Sequence, residues 1–345
     1  MINNVIIYYF SGTGNSKNVA SWLHESATQM GINCQLLNIA AMERRIENNP
    51  ANALIIIVSP VHGFNYPPLV LNFIARFPKG HNRVFLMCTR AGMLIGKYNL
   101  PGLSGMTFYL SSLILTLKGY KISGMIPVDL PSNWVSIHPG LNRPTVDYLY
   151  RRNHKKIIAI AQSIFSGKGV WTGLRDIIQD VLVMPVSLGY YFIGRFLFSK
   201  SFYASRECND CDLCLQACPA KAIIKIDNRP FWTFRCESCM KCIANCPKKA
   251  IETAHGFIIG YLFLASMLTG LMFYYFERYV FQIESGFLKW IADSALTILL
   301  LGIAYRIIHY LMRFSFIERI MVFTSLTRFK FWGKERLRFF KVTSD

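Results

Sequence analysis

A chain of 345 residues with 52% hydrophobic residues and a mean hydropathy of +0.30 is long enough for two or three domains and too apolar for an ordinary soluble protein, so a bilayer is expected as one partner. Its formal net charge of +19 is spread over the ends of apolar segments and the C-terminal region rather than one face, and no recognised nucleic-acid motif accompanies it, so nucleic acid is excluded as a partner. With ten cysteines and no cleavable signal peptide pattern, a secreted disulfide framework is disfavoured.

Val5 to Phe10 is a β-branched and aromatic run that breaks into Ser11-Gly12-Thr13-Gly14-Asn15-Ser16 and then into helix-compatible sequence from Lys17 to Met30. Hydroxyls and backbone N–H groups at such a helix start cradle a phosphate without a cation. The Walker pattern does not fit, and Lys17 stands where a dinucleotide fingerprint has its third glycine. Apolar runs at Cys34 to Leu37, Ala53 to Ser59, Val84 to Thr89 and Tyr120 to Ile126 alternate with helical patterns at Leu69 to Phe77, Thr107 to Leu117 and Thr145 to Phe165. That alternation predicts an α/β doubly wound parallel sheet, with Cys34 and Cys88 as core thiols. Ligands of such sheets sit off the carboxyl ends of the strands, here the loops Ser11 to Ser16, Ser59 to Tyr66 and Thr89 to Gly92.

Val181 to Phe198 is apolar but interrupted by Pro185, Gly189, Gly194 and Arg195, with no flanking charge asymmetry to orient a crossing. It reads as a helix packed on the protein or lying in the membrane interface.

Two cysteine runs follow: Cys208, Cys211, Cys214, Cys218, Pro219 and Cys236, Cys239, Cys242, Cys246, Pro247. Each is C-x2-C-x2-C-x3-C-P, the bacterial iron–sulfur run in which three near thiolates hold one cubane and the fourth crosses to the other. Cys208, Cys211, Cys214 and Cys246 are therefore expected on one [4Fe–4S] cluster, and Cys236, Cys239, Cys242 and Cys218 on the second. A zinc site has paired knuckles instead of triplets. Asp227-Asn228 is a turn signal between Ala222 to Ile226 and Pro230 to Thr233, predicting a hairpin, and Ile223, Ile251 and Trp232 are candidates to cover the clusters.

Phe257 to Phe276 carries no formal charge and is long enough to span a bilayer; Trp290 to Tyr305, extended to Met312, is a second span. Lys248 and Lys249 precede the first, and Arg313, Arg319, Arg328, Lys330 and Lys334 follow the second, whereas the connection Glu277 to Ser285 holds two acids and one Arg. The expectation is a two-helix transmembrane hairpin, multi-pass in the cytoplasmic membrane, with the redox domains and C-terminus facing the cytoplasm. A further crossing at 181–198 would separate the two redox domains. Asp293 falls near the outer interface, and Arg306, His309 and Arg313 recur at helical spacing where anionic headgroups are expected.

The Ser-Gly-Thr-Gly-Asn-Ser loop resembles the FMN phosphate loop of flavodoxins, and Ser59-Pro60-Val61-His62-Gly63 looks like their flavin-ring loop. Asp129-Leu130-Pro131-Ser132-Asn133-Trp134 is a looser match, to a Pro-x-Asn-aromatic segment. His62 departs from the Tyr common there, leaving Tyr66, Tyr98 and Trp134 as aromatic candidates. Joined to the cysteine runs, the chain resembles the flavodoxin–ferredoxin fusion proteins of anaerobic prokaryotes over roughly residues 1 to 253. The resemblance implies FMN held by Ser11, Gly12, Thr13, Gly14, Asn15, Ser16, Pro60, Val61, His62, Gly63, Tyr66, Thr89, Arg90, Ala91 and Gly92. It also implies a flavodoxin-like domain over 1–168, an apolar helical linker over 169–203, a small α+β two-[4Fe–4S] ferredoxin domain over 204–253, the hairpin over 254–312 and a basic tail over 313–345. No hydrolase arrangement is evident. The expected function is electron transfer between FMN, the clusters and a redox partner protein or lipid-soluble carrier; the alternative is a non-catalytic adaptor with an empty flavodoxin-like scaffold.

Overall fold

The computed structural model describes residues 2–42, 49–95, 98–279 and 285–332; the hairpin connection at 280–284 and the tail beyond 332, Lys334 included, lie outside them. The chain divides into two compact units, one running to Trp134 and resuming over Gly140–Leu188, the other formed by Val135–Pro139 and by the chain from Gly189 onward. The first unit thus takes in the start of the segment expected to be a linker.

The first unit contains β1 (Asn4–Tyr9), α1 (Asn15–Gln29), β2 (Asn33–Asn38), β3 (Leu54–Pro60), α2 (Pro68–Arg76), β4 (Arg83–Ile95), β5 (Tyr98–Leu100), α3 (Thr107–Leu117), β6 (Lys121–Pro131) and α4 (Arg143–Phe165). Five strands pair in parallel in the order β2-β1-β3-β4-β6, the flavodoxin-like doubly wound order, and β5 adds an antiparallel edge on β4. The central strand β3 reads Leu54-Ile55-Ile56-Ile57-Val58 and is buried throughout, as a parallel strand covered on both faces must be.

The segment Thr89 to Gly92, expected to be a loop, is instead the continuation of β4, paired residue for residue with β6 as far as Pro131. The cause is ionic. Arg90 is buried opposite Asp129 in the register, bonds it at 2.6 Å, and reaches Asp176 at 2.5 Å and Ser104 Oγ at 3.1 Å. A guanidinium with two carboxylates satisfies its charge inside the unit and keeps the strand running past the point where the apolar pattern ends.

A single apolar helical segment, Thr172–Ser199, follows α4; it includes α5 (Ile177–Gly189), a π-turn at Tyr190–Gly194 and α6 (Arg195–Ser199). In the first unit it packs by its polar residues. Asp180 accepts from Gly105 N at 2.7 Å and from the Tyr109 hydroxyl at 3.1 Å, and Ser187 donates to the Phe64 carbonyl at 3.2 Å, while Ile178 (75% exposed) and Leu182 (73%) face outward. This is the reverse of a water-facing surface helix.

The second unit contains β7 (Phe202–Ala204), α7 (Leu213–Gln216), β8 (Ile223–Ile226), β9 (Arg229–Trp232), α8 (Lys241–Asn245), β10 (Ile251–Thr253), α9 (His255–Tyr279), α10 (Gly286–Leu311) and α11 (Ser315–Phe323). The short segment Val135–Pro139 joins it through Ser136, whose hydroxyl lies 2.8 Å from that of Thr253. The helices α9 and α10 lie antiparallel, tied by the Tyr261 hydroxyl to the Thr297 carbonyl and by Lys289 to Glu277 at 2.8 Å. At 1.5 Å per residue, 25 and 26 residues give about 37–39 Å, more than the roughly 30 Å of hydrocarbon. Among the described residues three helices are long and apolar enough to cross a membrane: these two and Thr172–Ser199.

The end of α10 docks on the β8–β9 hairpin. Arg306 pairs with Asp227 at 3.0 Å, His309 Nε2 meets the Ile226 carbonyl at 3.1 Å, and the Tyr305 hydroxyl donates to the Phe202 carbonyl at 2.8 Å. Arg306 and His309, expected at lipid headgroups, are used in this docking, and Arg313 stacks on the Tyr310 ring at 3.7 Å. In the first unit, Asp129→Ala should leave Arg90 buried with half its charge pairing gone, at a cost of about 3 kcal/mol. A fall in the urea midpoint in detergent checks it; an unchanged midpoint would show that Asp176 alone suffices.

Candidate functional site

At the carboxyl end of β1 the chain must reverse into α1 within a few residues. Gly14 takes φ 120° to do so, a conformation open to glycine, and its N–H donates to Ser11 Oγ at 3.1 Å. The Asn15 amide donates to the Pro131 carbonyl at 2.9 Å and its oxygen accepts from the Tyr150 hydroxyl at 2.5 Å. Ser16 Oγ lies 2.8 Å from Thr89 Oγ1. Asn15 and Ser16 thus fix the loop to α4, β4 and β6. Thr13 differs: its hydroxyl is buried without a partner, and a buried unsatisfied hydroxyl calls for an explanation.

Pro60 ends β3, and Val61 N donates to the Thr89 carbonyl at 3.0 Å. His62-Gly63-Phe64-Asn65 then closes a tight turn, with His62 and Asn65 exchanging backbone bonds at 2.8 and 3.2 Å and both Gly63 (φ 54°) and Phe64 (φ 63°) left-handed. The Phe64 carbonyl accepts from Met106 N at 2.8 Å and from Ser187, so the turn is held from α3 and α5. Ser11 to Ser16, Pro60 to Gly63 and Thr89 are thereby brought to the carboxyl ends of three neighbouring strands. Tyr66 is elsewhere: 1% exposed, it bonds the Met87 carbonyl at 2.9 Å as a core side chain. Arg90 is occupied by its carboxylates, Ala91 and Gly92 lie within β4, Tyr98 is 78% exposed on β5, and Trp134 follows β6. Tyr150, Phe64 and Ser187 escaped sequence reasoning because nothing in their local pattern marks a partner so far along the chain.

The cysteine-bearing region repeats at an offset of 28 residues, the distance from Cys208 to Cys236. Left-handed residues recur at that offset, Asp210 with Ser238, Asp212 with Met240 and Lys221 with Lys249. So do bonds: Cys208 N to Ser205 O (3.0 Å) matches Cys236 N to Thr233 O (3.1 Å), and Ala222 N to Cys218 Sγ (3.3 Å) matches Ala250 N to Cys246 Sγ (3.3 Å). The equivalent strands are β7 with β9 and β8 with β10, yet β7 pairs with β10 and β8 with β9. Each half therefore completes its sheet with the other.

Cys218, Cys236, Cys239 and Cys242 line one small cavity, about 20 Å³, together with Pro219, Trp232 and Ser238. Burial pushes the Cys214 thiol up to about 11, with Cys208 and Cys246, from opposite runs, adding to the rise, and Cys211 is exposed. Among the described residues no three His, Cys, Asp or Glu side chains converge on a single ion, as a tetrahedral zinc with sulfur at about 2.3 Å would require. Burial, with Cys218 and Glu237 adding, pushes the Cys239 thiol up to about 12, and Cys236 and Cys242 are raised too. Thiolates there need a cationic group, and binding must release protons. The buried Ser238 hydroxyl has no partner among the described residues and the Trp232 N–H faces Cys242, so the cavity offers donors as well as thiols, a set that fits a group carrying sulfur acceptors.

Residues 207–251 match the family described as a 4Fe-4S dicluster domain. No curated protein matches the chain in sequence. Solved structures similar to it include a flavodoxin from Streptococcus pneumonia TIGR4 (10% identity, 47% of this chain and 97% of that one, TM-score 0.32) and a flavodoxin from the domain Archaea (12%, 47% and 98%, 0.31). A third is general stress protein 14 from Treponema denticola in complex with FMN (12%, 46% and 98%, 0.30). Likenesses at these scores add no weight to what the strand order carries. The chain joins a flavodoxin-like α/β sheet to a 4Fe-4S dicluster ferredoxin domain and to long apolar helices. If Asn15 is held by Tyr150, Tyr150→Phe should strand its amide oxygen, cost about 1–2 kcal/mol locally and speed hydrogen exchange across 11–18. Exchange unchanged there would detach α4 from the loop.

Proposed function

We propose that the chain is a membrane-attached flavoprotein oxidoreductase with FMN at the first unit's loops and two [4Fe–4S] clusters in the second. One cluster is ligated by Cys208, Cys211, Cys214 and Cys246, the other by Cys236, Cys239, Cys242 and Cys218. The interleaving of the two halves carries this reading, because each run's fourth cysteine belongs with the other run's triplet only if the halves exchange strands. FMN would supply paired-electron chemistry and the cubanes single-electron steps.

The chain's own residues have separate tasks. Gly14 opens the turn, Ser11 braces it, and Asn15 and Ser16 keep the loop rigid, so that the Thr13 hydroxyl would be the donor to a bound phosphate. The His62–Asn65 turn would hold the flavin ring by its backbone. Backbone N–H groups of Ala222, Ser238 and Ala250 bond cysteine sulfurs at 3.3–3.4 Å, which lowers their negative charge and favours the reduced clusters. Lys248, Lys249, Arg313, Arg319, Arg328 and Lys330 favour a cytoplasmic position for this unit. The outward apolar face of α5 supports contact with lipid or with a membrane partner that exchanges electrons.

Anaerobically purified protein should hold about eight irons and eight labile sulfides per chain. Cys218→Ser should alter the EPR signal of the cluster on Cys236, Cys239 and Cys242; damage confined to the other cluster would reverse the assignment. Acid-released flavin should be FMN at one per chain, and Thr13→Val should weaken it about tenfold, one hydrogen bond to a charged group. Absence of flavin from the native protein would leave the sheet a scaffold.

A further inference from the structure

Lys200 is a buried charge in the second unit that its partner in the 28-residue repeat does not match. It lies between α6 and β7, is 3% exposed, and donates to the Trp232 carbonyl at 2.6 Å. Three rings surround its ammonium, Phe234 at 4.3 Å, Phe231 at 4.5 Å and Tyr305 at 4.7 Å. Among the described residues no carboxylate pairs with it. A buried lysine without an acid is costly unless another negative charge compensates it.

That charge is at hand in the cysteine set. Burial lowers the Lys200 ammonium and Cys236 partly offsets it, to about 8 in all, so it remains mostly protonated at neutral pH. Trp232, whose carbonyl it bonds, lines the cavity of Cys218, Cys236, Cys239 and Cys242, and Phe231 of its cage is the residue before Trp232 on β9. The other charged neighbours of that site, Lys241 and Glu237, act on Cys239 with opposite signs, and Lys241 is half-exposed where solvent screens it.

The 28-residue repeat pairs Lys200 with Asn228, which is neutral and exposed in the β8–β9 turn. The two cysteine sites are alike in backbone and cysteine spacing and unlike in this buried charge, although other paired positions differ in charge too, among them buried Glu252 against exposed Ile224. Resting on the two-cluster reading, we propose that Lys200 sets the clusters apart in potential. Its ammonium stabilises the added electron on the cluster of Cys218, Cys236, Cys239 and Cys242 and makes that cluster the more easily reduced of the pair. The aromatic cage fixes the ammonium and keeps water from screening it, and because Tyr305 belongs to α10, the membrane helix forms part of the cage.

EPR-monitored redox titration of the full chain in detergent, with iron and sulfide assayed on each sample, tests this. The native protein should show two clusters at separate potentials, the higher one being the signal altered by Cys218→Ser. Lys200→Met should make that cluster at least about tenfold harder to reduce, 59 mV for one electron, and leave the other in place. Lys200→Arg, which keeps the charge, should restore most of the gap, and Lys241→Met should move it far less. Full iron content with unchanged potentials in Lys200→Met, or an equal shift of both clusters, would overturn the inference while leaving the two-cluster reading intact. Should Lys200→Met fail to load, Lys200→Gln takes its place, and a native protein whose clusters titrate together overturns the inference without any variant. A native iron count of about four or fewer would instead remove the cluster reading, and this inference with it.

Discussion

Everything in the second unit depends on one constraint: two short sequences of the same pattern complete each other's strands. β7 pairs with β10 and β8 with β9, so neither half has a finished sheet or a closed cavity alone. Small domains seldom bury enough apolar surface to fold unaided, and a structural metal group commonly makes up the deficit. Here Trp232, Phe202 and Ala250 are buried between the halves, and the cysteines occupy turns whose left-handed residues, Asp212 and Met240 among them, hold strained backbone at equivalent places. The exchange of strands accompanies the placing of Cys218 on one cavity with Cys236, Cys239 and Cys242.

The membrane helices grow out of that core. Buried Tyr305 spans the two levels: its hydroxyl bonds the backbone of β7, and its ring packs on Phe231 of β9 at 4.9 Å. With Arg306 on Asp227 and His309 on Ile226, one face of α10 reads the turn between β8 and β9. A helix that merely tethers a domain needs no such contacts; these make the hairpin and the ferredoxin-like region one packed body, in which polar groups near a membrane boundary are satisfied by protein.

In the first unit the comparable role falls to polar groups on an apolar helix. Asp180 and Ser187 hold Gly105 and Phe64, and through them the turn that stands beside the phosphate loop. Gly105 has φ 55°, and a side chain there would meet the Phe64 carbonyl at 2.5 Å, so the contact is backbone on backbone. The helix that buttresses the candidate flavin loops thus leaves its apolar side chains outward, which joins the loops' rigidity to whatever covers that face.

By itself the sequence determined the alternation of strands and helices, the phosphate-type turn at Ser11 to Ser16, the pairing of the two cysteine runs and the apolar helices, because each is written in local period or spacing. The crossed grouping of the cysteines is a proposal drawn from the spacing C-x2-C-x2-C-x3-C-P. Only the tertiary structure decided the rest. That Thr89 to Gly92 continues a strand depends on Asp129 and Asp176 meeting Arg90 from far along the chain, and that Tyr66 is core depends on the Met87 carbonyl. Arg306 and His309 look like headgroup ligands in a helical period, yet the β8–β9 turn lies where lipid was expected. Lys200 reads as one more basic residue beside an apolar run until three rings and a cysteine site are folded around it, because burial and long-range charge are properties of the packed chain and leave no trace in spacing.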